Sequence, residues 1–227
     1  MTLLTDVVSP LILTVCLAAV TTLVLLMLGT PIAWWLARTR SVWREPVAAL
    51  VAMPLVLPPT VIGFYLLMAL GPNGPGGALA GLWGARTLAF SFPGLVVGSI
   101  FYSLPFMVQP LRVAFETVET ETLEAAATLG AHRRQTFVRV VLRASASGFI
   151  TGLILTFAHT IGEFGVVLMI GGNIPGATKV LSISIYDFVE RGEWAPAHWI
   201  SAGMVLFAFI VVTATMLIDR RFGRLTG

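Results

Sequence analysis

Long apolar runs dominate the chain, and short polar segments separate them. Five of these runs are long enough to cross a bilayer as a helix, which requires roughly 20 apolar residues. Four runs contain no Asp, Glu, Lys or Arg, and the fourth in chain order contains only Glu163. The predicted spans cover residues 11–37, 47–70, 88–111, 147–171 and 197–218. The pattern therefore predicts an all-α integral membrane protein with a single transmembrane domain over residues 1–227.

Composition favours this assignment over a soluble protein. Hydrophobic residues make up 57% of the chain and charged residues only 11%, whereas soluble domains carry about 25% charged residues. The net charge of +3 does not indicate nucleic-acid binding, because the basic residues lie between apolar runs and form no single patch. Cys16 is the only cysteine, which excludes disulfide frameworks and cysteine metal sites within one chain.

The basic residues are distributed unevenly over the predicted loops. Eleven of the 14 Lys and Arg residues lie after span one, after span three or in the C-terminal tail. The opposite side carries only Arg86, Lys179 and Arg191. Cytoplasmic loops carry the excess of positive charge in membrane proteins. The chain is therefore predicted to be a multi-pass protein of the inner membrane, with its N-terminus outside and its C-terminus in the cytoplasm.

Two segments on the predicted outer side differ in character. Gly71–Gly77 is rich in Gly and Pro, which predicts turns without helical tendency. Residues 179–194 are too polar to span a membrane, and their apolar positions recur at helical spacing. This second segment is predicted to form either a short interfacial helix or an ordinary surface loop.

One cytoplasmic loop, residues 112–146, is far more polar than the rest of the chain. Acidic residues ending at Glu124 precede Ala125–Ala127, a combination that favours a helix N-terminus followed by strong helix formers. Gly130 then suits a left-handed helix stop, and a second, basic helix is expected to begin near His132. A short helix, a sharp turn and a basic helix would suit docking to another protein, although a solvated charged loop satisfies the same pattern.

Glu124, Ala125 and Ala126, followed after three residues by Gly130, resemble the EAA motif of ABC importer permeases. The resemblance implies a five-helix type I importer transmembrane domain, in which this loop forms a coupling helix that docks onto a cytoplasmic ATPase. The family pattern ends in a proline, where this chain has Arg143. Without the proline, the sequence does not indicate where the second helix ends, but the docking segment is unaffected.

Three further strings narrow the resemblance to the molybdate permease branch, with sulfate and tungstate permeases close to it. They are MPLVLPPTV at 53–61, GEFG at 162–165 and GNIPG at 172–176. The resemblance implies an ATP-driven importer of molybdate or, alternatively, of tungstate, sulfate or thiosulfate. It also implies a homodimer of this permease, two copies of a partner ATPase and a periplasmic oxyanion-binding protein. ATP would bind to the partner, so no catalytic residue, metal or cofactor is expected in this chain, which has no P-loop motif.

Four residues inside the predicted spans are candidates for the translocation path or for a polar pair within the bundle. Pro58 and Pro59 interrupt span two, and prolines inside helices free carbonyl groups that need partners in the bundle or in a water-lined path. His159 and Glu163 are four residues apart, which predicts that they share one helical face. An intramembrane carboxyl is costly and marks a functional-site hypothesis. The pair is expected either to line the path or to tie two helices together, and the tie is favoured because a glutamate would repel a dianion.

Two other classes of function are compatible with parts of the sequence. Serines in span three, such as Ser99 and Ser103, and the three histidines would suit an intramembrane protease. A protease, however, has no use for a loop of the EAA type. A secondary transporter is the other alternative, but such proteins often contain paired repeats, and no motif here has a second copy. An ABC importer permease is therefore the predicted function.

Overall fold

The computed structural model describes residues 3–82 and 84–223, and every regular element in that part of the chain is helical. A 3₁₀ turn at Met53–Leu55 and a π-helical turn at Phe137–Val141 accompany the α-helices. In chain order the α-helices are α1 (Leu3–Arg38), α2 (Arg44–Ala52), α3 (Pro59–Leu70), α4 (Pro75–Gly81), α5 (Phe92–Glu116), α6 (Thr120–Thr128), α7 (Arg133–Thr136), α8 (Leu142–Ala144), α9 (Ala146–Gly162), α10 (Gly165–Gly171), α11 (Leu181–Glu190) and α12 (Trp194–Gly223).

Three helices, α1, α5 and α12, are long and apolar enough to cross a membrane. Two bent pairs also have suitable length and composition: Arg44–Leu55 with Pro59–Leu70, bent by 108°, and Arg133–Ala144 with Ala146–Gly162, bent by 71°. Counting each bent pair as one span brings the number to five, and five spans stay a prediction. The predicted basic tail extends to Arg224, which lies outside the described residues.

Neither the second nor the fourth predicted span is one continuous helix. The second is interrupted between Leu55 and Pro59, because two consecutive prolines lack N–H groups and exclude the preceding residue from helical conformations. Within the fourth predicted span, α9 ends at Gly162 and α10 begins at Gly165. The prolines predicted an interruption in the second span, whereas the fourth was predicted as unbroken, because apolar length carries no information on where the backbone turns.

The two segments that were predicted to lie outside differ in part from their predicted structures. The expectation that Gly71–Gly77 lacks helix was wrong, because α4 begins at Pro75, and a proline fits the first helical position, where its missing N–H costs nothing. Of the two alternatives for residues 179–194, the short helix is present as α11. Its side chains Ile183 and Phe188 are buried against the bundle.

Two groups of buried apolar side chains hold the helices together. One joins α1, α3, α5, α10 and α11, with Leu95 and Ile170 among its members. The other joins α1, α2 and α5 to the π-helical turn, with Phe115 and Val141 among its members. α12 meets α9 and α11, but Ala197 is the only buried residue among its described side chains. Most of α12 therefore faces outward, as expected of a helix in contact with lipid.

Candidate functional site

The polar loop at residues 112–146 folds into the helix, turn and helix predicted from its sequence. We call residues 119–136, which comprise α6, the turn and α7, the coupling segment. Gly130 has a φ of +79°, which confirms the left-handed conformation predicted for it. The N–H groups of Leu129, Gly130 and Ala131 donate to carbonyl oxygens of α6. Local backbone hydrogen bonds thus close the turn.

The coupling segment presents its side chains outward. Three of the four residues that resemble the EAA motif, Glu124, Ala125 and Gly130, are exposed, and Ala126 is half-buried. No side chain of α6 is fully buried. Leu129, at the turn, is 88% exposed. A short helix that ends in an exposed apolar residue has the form of a docking element that inserts into a groove.

An aromatic cluster seats the coupling segment on the bundle. The ring of Trp34 on α1 lies 5.2 Å from that of Phe115 on α5 and 5.4 Å from that of Phe137, in edge-to-face arrangements. Phe149 on α9 lies 5.7 Å from Phe115. Phe137 begins the π-helical turn, a rare geometry that is frequent at functional sites. Sequence analysis missed this cluster because its members come from four separated segments.

Two arginines fix the C-terminal end of α5, from which the coupling segment continues. Arg38 donates to the carbonyl oxygens of Phe115 and Val118 at 2.9 and 2.6 Å. Carbonyl groups at the end of a helix lack partners within it, so Arg38 acts as a side-chain cap. Arg44 pairs with Glu116 at 3.0 Å. The sequence predicted only the side of the membrane for these arginines, because their contacts depend on how α1 and α2 pack on α5.

A second set of polar side chains lies buried between α5 and α9. Ser99 and Ser103 are one helical turn apart on α5, and both are fully buried. Ser99 Oγ donates to Glu163 Oε2 at 2.8 Å. Ser103 Oγ lies 3.0 Å from His159 Nδ1 and 3.0 Å from Thr160 Oγ1. Polar groups inside a membrane are costly unless they are hydrogen-bonded, so these contacts hold α5 and α9 in register.

His159 and Glu163 have separate partners and do not pair with each other among the described contacts. α9 ends at Gly162, and a ψ of 131° at Glu163 turns the backbone out of the helix. Both side chains nevertheless face α5, where His159 contacts Ser103 and Glu163 contacts Ser99. These contacts agree with the predicted shared face, and a role of the pair in a translocation path stays a prediction. The ring of His159 is half-buried and stacks on Phe106 at 3.9 Å. Glu163 is only 3% exposed, so in this single chain it ties helices together.

Pro58 and Pro59 lie at the turn before α3, beside the residues that follow Glu163. Pro58 precedes the helix, and Pro59 is its first residue. The carbonyl of Pro58 accepts hydrogen bonds from the N–H groups of Val61 and Ile62 at 3.0 and 3.3 Å. A methyl group added at Gly165 would lie 2.6 Å from Pro59 Cβ. The fold thus brings the two interruptions together, and a role of these residues in a translocation path stays a prediction.

Comparison with known proteins identifies the family. The sequence matches the family described as binding-protein-dependent transport system inner membrane component over residues 29–226. The chain belongs to this family. It is 58% identical over 210 residues to the molybdenum transport system permease protein ModB of Azotobacter vinelandii, with 92% of each chain covered. It is 32% identical over 199 residues to the sulfate transport system permease protein CysT of Escherichia coli K12, with 86% of this chain and 70% of that relative covered.

The fold of this inner membrane component has a counterpart among solved structures. A bacterial alginate ABC transporter, in complex with an alginate pentasaccharide-bound periplasmic protein, matches it with a TM-score of 0.72 and 17% identity. The match covers 94% of this chain and 78% of that chain. The predicted fold class, an ABC importer transmembrane domain, is confirmed. The chain is accordingly an inner-membrane transporter subunit and not an enzyme.

Proposed function

We propose that this permease forms the translocation pathway of an ATP-driven importer of molybdate. The observation that carries the proposal is the 58% identity to a molybdenum transport permease over 92% of the chain. Tungstate is nearly isosteric with molybdate and is expected to share the path. Sulfate is the second candidate substrate, and the 32% identity to a sulfate permease favours it over other anions.

The coupling segment is the proposed contact with the partner ATPase. Its exposed tip at Leu129 and its locally closed turn suit insertion into a groove on that partner. Movement of the segment would pass through Phe137 to Trp34 and Phe115, which join it to α1 and α5. ATP binds to the partner in this scheme, and the permease needs no cofactor of its own.

The proposed complex contains two copies of this permease, two ATPase copies and a periplasmic oxyanion-binding protein. One chain offers at most five spans among its described helices, and most assemblies of identical chains are two-fold symmetric. The family description itself refers to dependence on a binding protein. Mass measurement of the detergent-solubilised complex should give two permease and two ATPase copies. A single permease copy, or a second unlike permease, would contradict this assembly.

The proposed orientation places the N-terminus outside and the C-terminus in the cytoplasm. It rests on the uneven distribution of basic residues between the two sides of the membrane. Single cysteines at Thr5 and at Thr226, each in a Cys16→Ser background, should react with impermeant reagents from opposite sides. Reaction of both from the same side would contradict an odd number of spans.

Transport in proteoliposomes tests the proposed substrate directly. Vesicles that contain the permease and the ATPase, supplied with the binding protein, should take up labelled molybdate only when ATP is present on the ATPase side. Excess tungstate should compete, and excess sulfate should not. Preferential uptake of sulfate would show that sulfate, and not molybdate, is the substrate. Uptake without ATP hydrolysis would contradict an ABC importer.

A further inference from the structure

Two interrupted helices meet at their interruptions. α3 begins at Pro59 after the first break, and α10 begins at Gly165 after the second. A methyl group added at Gly165 would lie 2.6 Å from Pro59 Cβ, and one added at Gly63 would lie 2.7 Å from Met169 Cβ. Between these two contacts α3 advances from Pro59 to Gly63 and α10 from Gly165 to Met169, which is four residues in each helix. α3 and α10 therefore run parallel from neighbouring first residues. At each contact a glycine of one helix packs against a larger side chain of the other.

The far ends of α3 and α10 are also tied to each other. The N–H groups of Leu88 and Ala89 donate to the carbonyl of Leu70 at 3.0 and 3.3 Å, and the N–H of Phe90 donates to the carbonyl of Ile170 at 2.7 Å. Three consecutive residues thus cap the C-terminal ends of both helices. Phe90 has a φ of +62°, a strained conformation that persists only where the surroundings require it.

Glu163 holds the second break from two sides. Ser99 Oγ on α5 donates to Glu163 Oε2 at 2.8 Å, and Ser182 Oγ on α11 donates to the main-chain carbonyl of Glu163 at 2.6 Å. A break inside a membrane must have its polar groups satisfied by neighbouring helices, since lipid offers no partner. Glu163 thus links the end of α9 to α5 and to α11, although its Oε1 has no hydrogen-bond partner among the described residues.

We propose that α3 and α10 move as one rigid unit during transport, about the paired breaks, and that Glu163 is the positioning residue of this joint. The inference rests on the proposed transport function. Bending at the breaks costs little, because the helical hydrogen-bond ladder is already interrupted there. Movement of either half-helix alone would instead open the close contacts at Gly63 and Gly165 and separate the helix ends at Leu70 and Ile170.

Two alanine substitutions within one short motif test the joint. Gly165→Ala inserts a methyl group against Pro59, whereas an added methyl at Gly162 has no neighbour within 4 Å. In the reconstituted complex, Gly165→Ala should lower molybdate uptake and the binding-protein-stimulated ATPase by about tenfold. Its basal ATPase and amount of complex should stay as in the wild type, and Gly162→Ala should behave as the wild type throughout. Equal uptake by the two variants would overturn the proposal.

A cysteine pair provides a second test that does not depend on how Gly165→Ala folds. Gly63→Cys with Met169→Cys, in a Cys16→Ser background, places two thiols across the contact between α3 and α10. Cβ atoms in disulfides lie about 3.8 Å apart, so a small adjustment permits the bond. A side chain added at Gly63 would lie 2.7 Å from Met169 Cβ, so the double variant is compared with itself and not with the wild type. Its uptake should be the same oxidised as reduced, because these positions do not move against each other. Loss of uptake on oxidation, recovered with a reductant and absent in each single-cysteine control, would overturn the proposal.

The wild-type complex separates this inference from the proposed function. Failure of the wild type to accumulate molybdate with ATP would contradict the proposed function itself. Wild-type uptake, together with a Gly165→Ala variant that matches Gly162→Ala or a cysteine pair that blocks uptake when oxidised, would contradict the joint alone.

Discussion

The coupling segment and the paired breaks are both helix–turn–helix elements, but opposite kinds of contact hold them. In the coupling segment the turn is closed by backbone bonds within the segment itself, such as that from Ala131 to Ala126. At the second break the decisive bonds join Glu163 to Ser99, 64 positions away, and to Ser182, 19 positions away. The side chains of α6 are largely exposed, whereas Glu163 and Ser99 are buried.

This difference follows from what surrounds each element. A segment that docks, as proposed for this one, must keep its shape before its partner arrives, and its exposed part relies on its own backbone geometry. A break within the bundle has the reverse problem, because its polar groups need partners that only neighbouring helices supply. Changes to backbone conformation should therefore affect the coupling segment most, and loss of side-chain hydrogen bonds should affect the breaks most.

The largest expected effect is that of Gly130→Val on transport. A β-branched residue at φ +79° costs about 1–2 kcal/mol and favours a different turn, which would redirect the coupling segment. We expect normal membrane levels, weakened association with the ATPase and a loss of molybdate uptake of about tenfold or more. Uptake in vesicles and co-purification of the ATPase measure these effects.

Gly192→Val is the matched control for that substitution. Gly192 follows α11 with a φ of +73°, and neither Gly130 nor Gly192 has an atom within 4 Å of an added methyl group. The backbone strain should therefore be similar, but the coupling segment is untouched and the ATPase should still associate. If both variants lose the ATPase equally, the effect of Gly130→Val comes from general destabilisation rather than from docking.

A smaller effect is expected where the coupling segment joins the bundle. Arg38→Ala removes two hydrogen bonds from a charged donor to carbonyl oxygens at the end of α5. We expect a loss of about 2–3 kcal/mol in stability, measured by thermal unfolding in detergent. Arg112→Ala, which removes an ion pair with Glu116 at the surface, should cost less than about 1 kcal/mol. Equal losses would show that the cap contributes no more than a surface pair.

At the breaks, the side-chain hydrogen bond should matter more than the charge. Ser99→Ala leaves a buried carboxyl without its donor and should cost about 1–3 kcal/mol, measured as the melting temperature of the complex. Glu163→Gln keeps an oxygen that can accept from Ser99 and should assemble as the wild type, whereas Glu163→Ala should not. Loss of assembly in Glu163→Gln, with Ser99→Ala unaffected, would assign the role to the charge.

The coupling segment is the part of the candidate site that could be predicted from the sequence. Its start, its left-handed stop at Gly130 and its second helix all depend on neighbours a few positions away, and residue preferences at such distances are informative. The apolar runs likewise predicted an all-helical membrane domain. The missing proline at Arg143 did not prevent the second helix from continuing toward the bundle.

The breaks could be predicted only in part. Two adjacent prolines predicted the first break, because each lacks a backbone N–H group and disrupts the helix at its own position. No comparable signal marks the second: Gly162 and Gly165 are compatible with a helix, and the break at Glu163 depends on Ser99 and Ser182. A buried serine at helical spacing in an apolar span is a signal that could have suggested a polar partner, but its identity requires the packing of α5 against α9.

The smallest effect is expected on the α11 side of the second break, where Lys179 pairs with Asp187 of α11, the helix that carries Ser182. The Lys179 ammonium donates to Asp187, and Arg191 lies 3.4 Å from the same carboxylate. The hydrogen bond from Lys179 is the main cause that lowers the pKa of Asp187 from its ordinary value of 3.8. Because the pKa is lower in the folded state, the pair stabilises the fold at pH values above that of the unfolded carboxyl. That contribution is lost as the pH falls through the folded value.

Melting temperatures from neutral pH down to about pH 3 test this contribution. The wild type should lose stability in acid, and Asp187→Asn should lose less over the same range, with a difference below about 1 kcal/mol for a partly exposed pair. Glu193→Gln is the control, since Glu193 pairs with Arg191 alone among the described residues, at 3.4 Å on an exposed surface. It should melt with the acid dependence of the wild type. The hydrogen bond from the Ser182 hydroxyl to Glu163 does not itself titrate. If Asp187→Asn loses as much stability in acid as the wild type, the pH-sensitive group lies elsewhere. The second break would then be independent of the charges on α11.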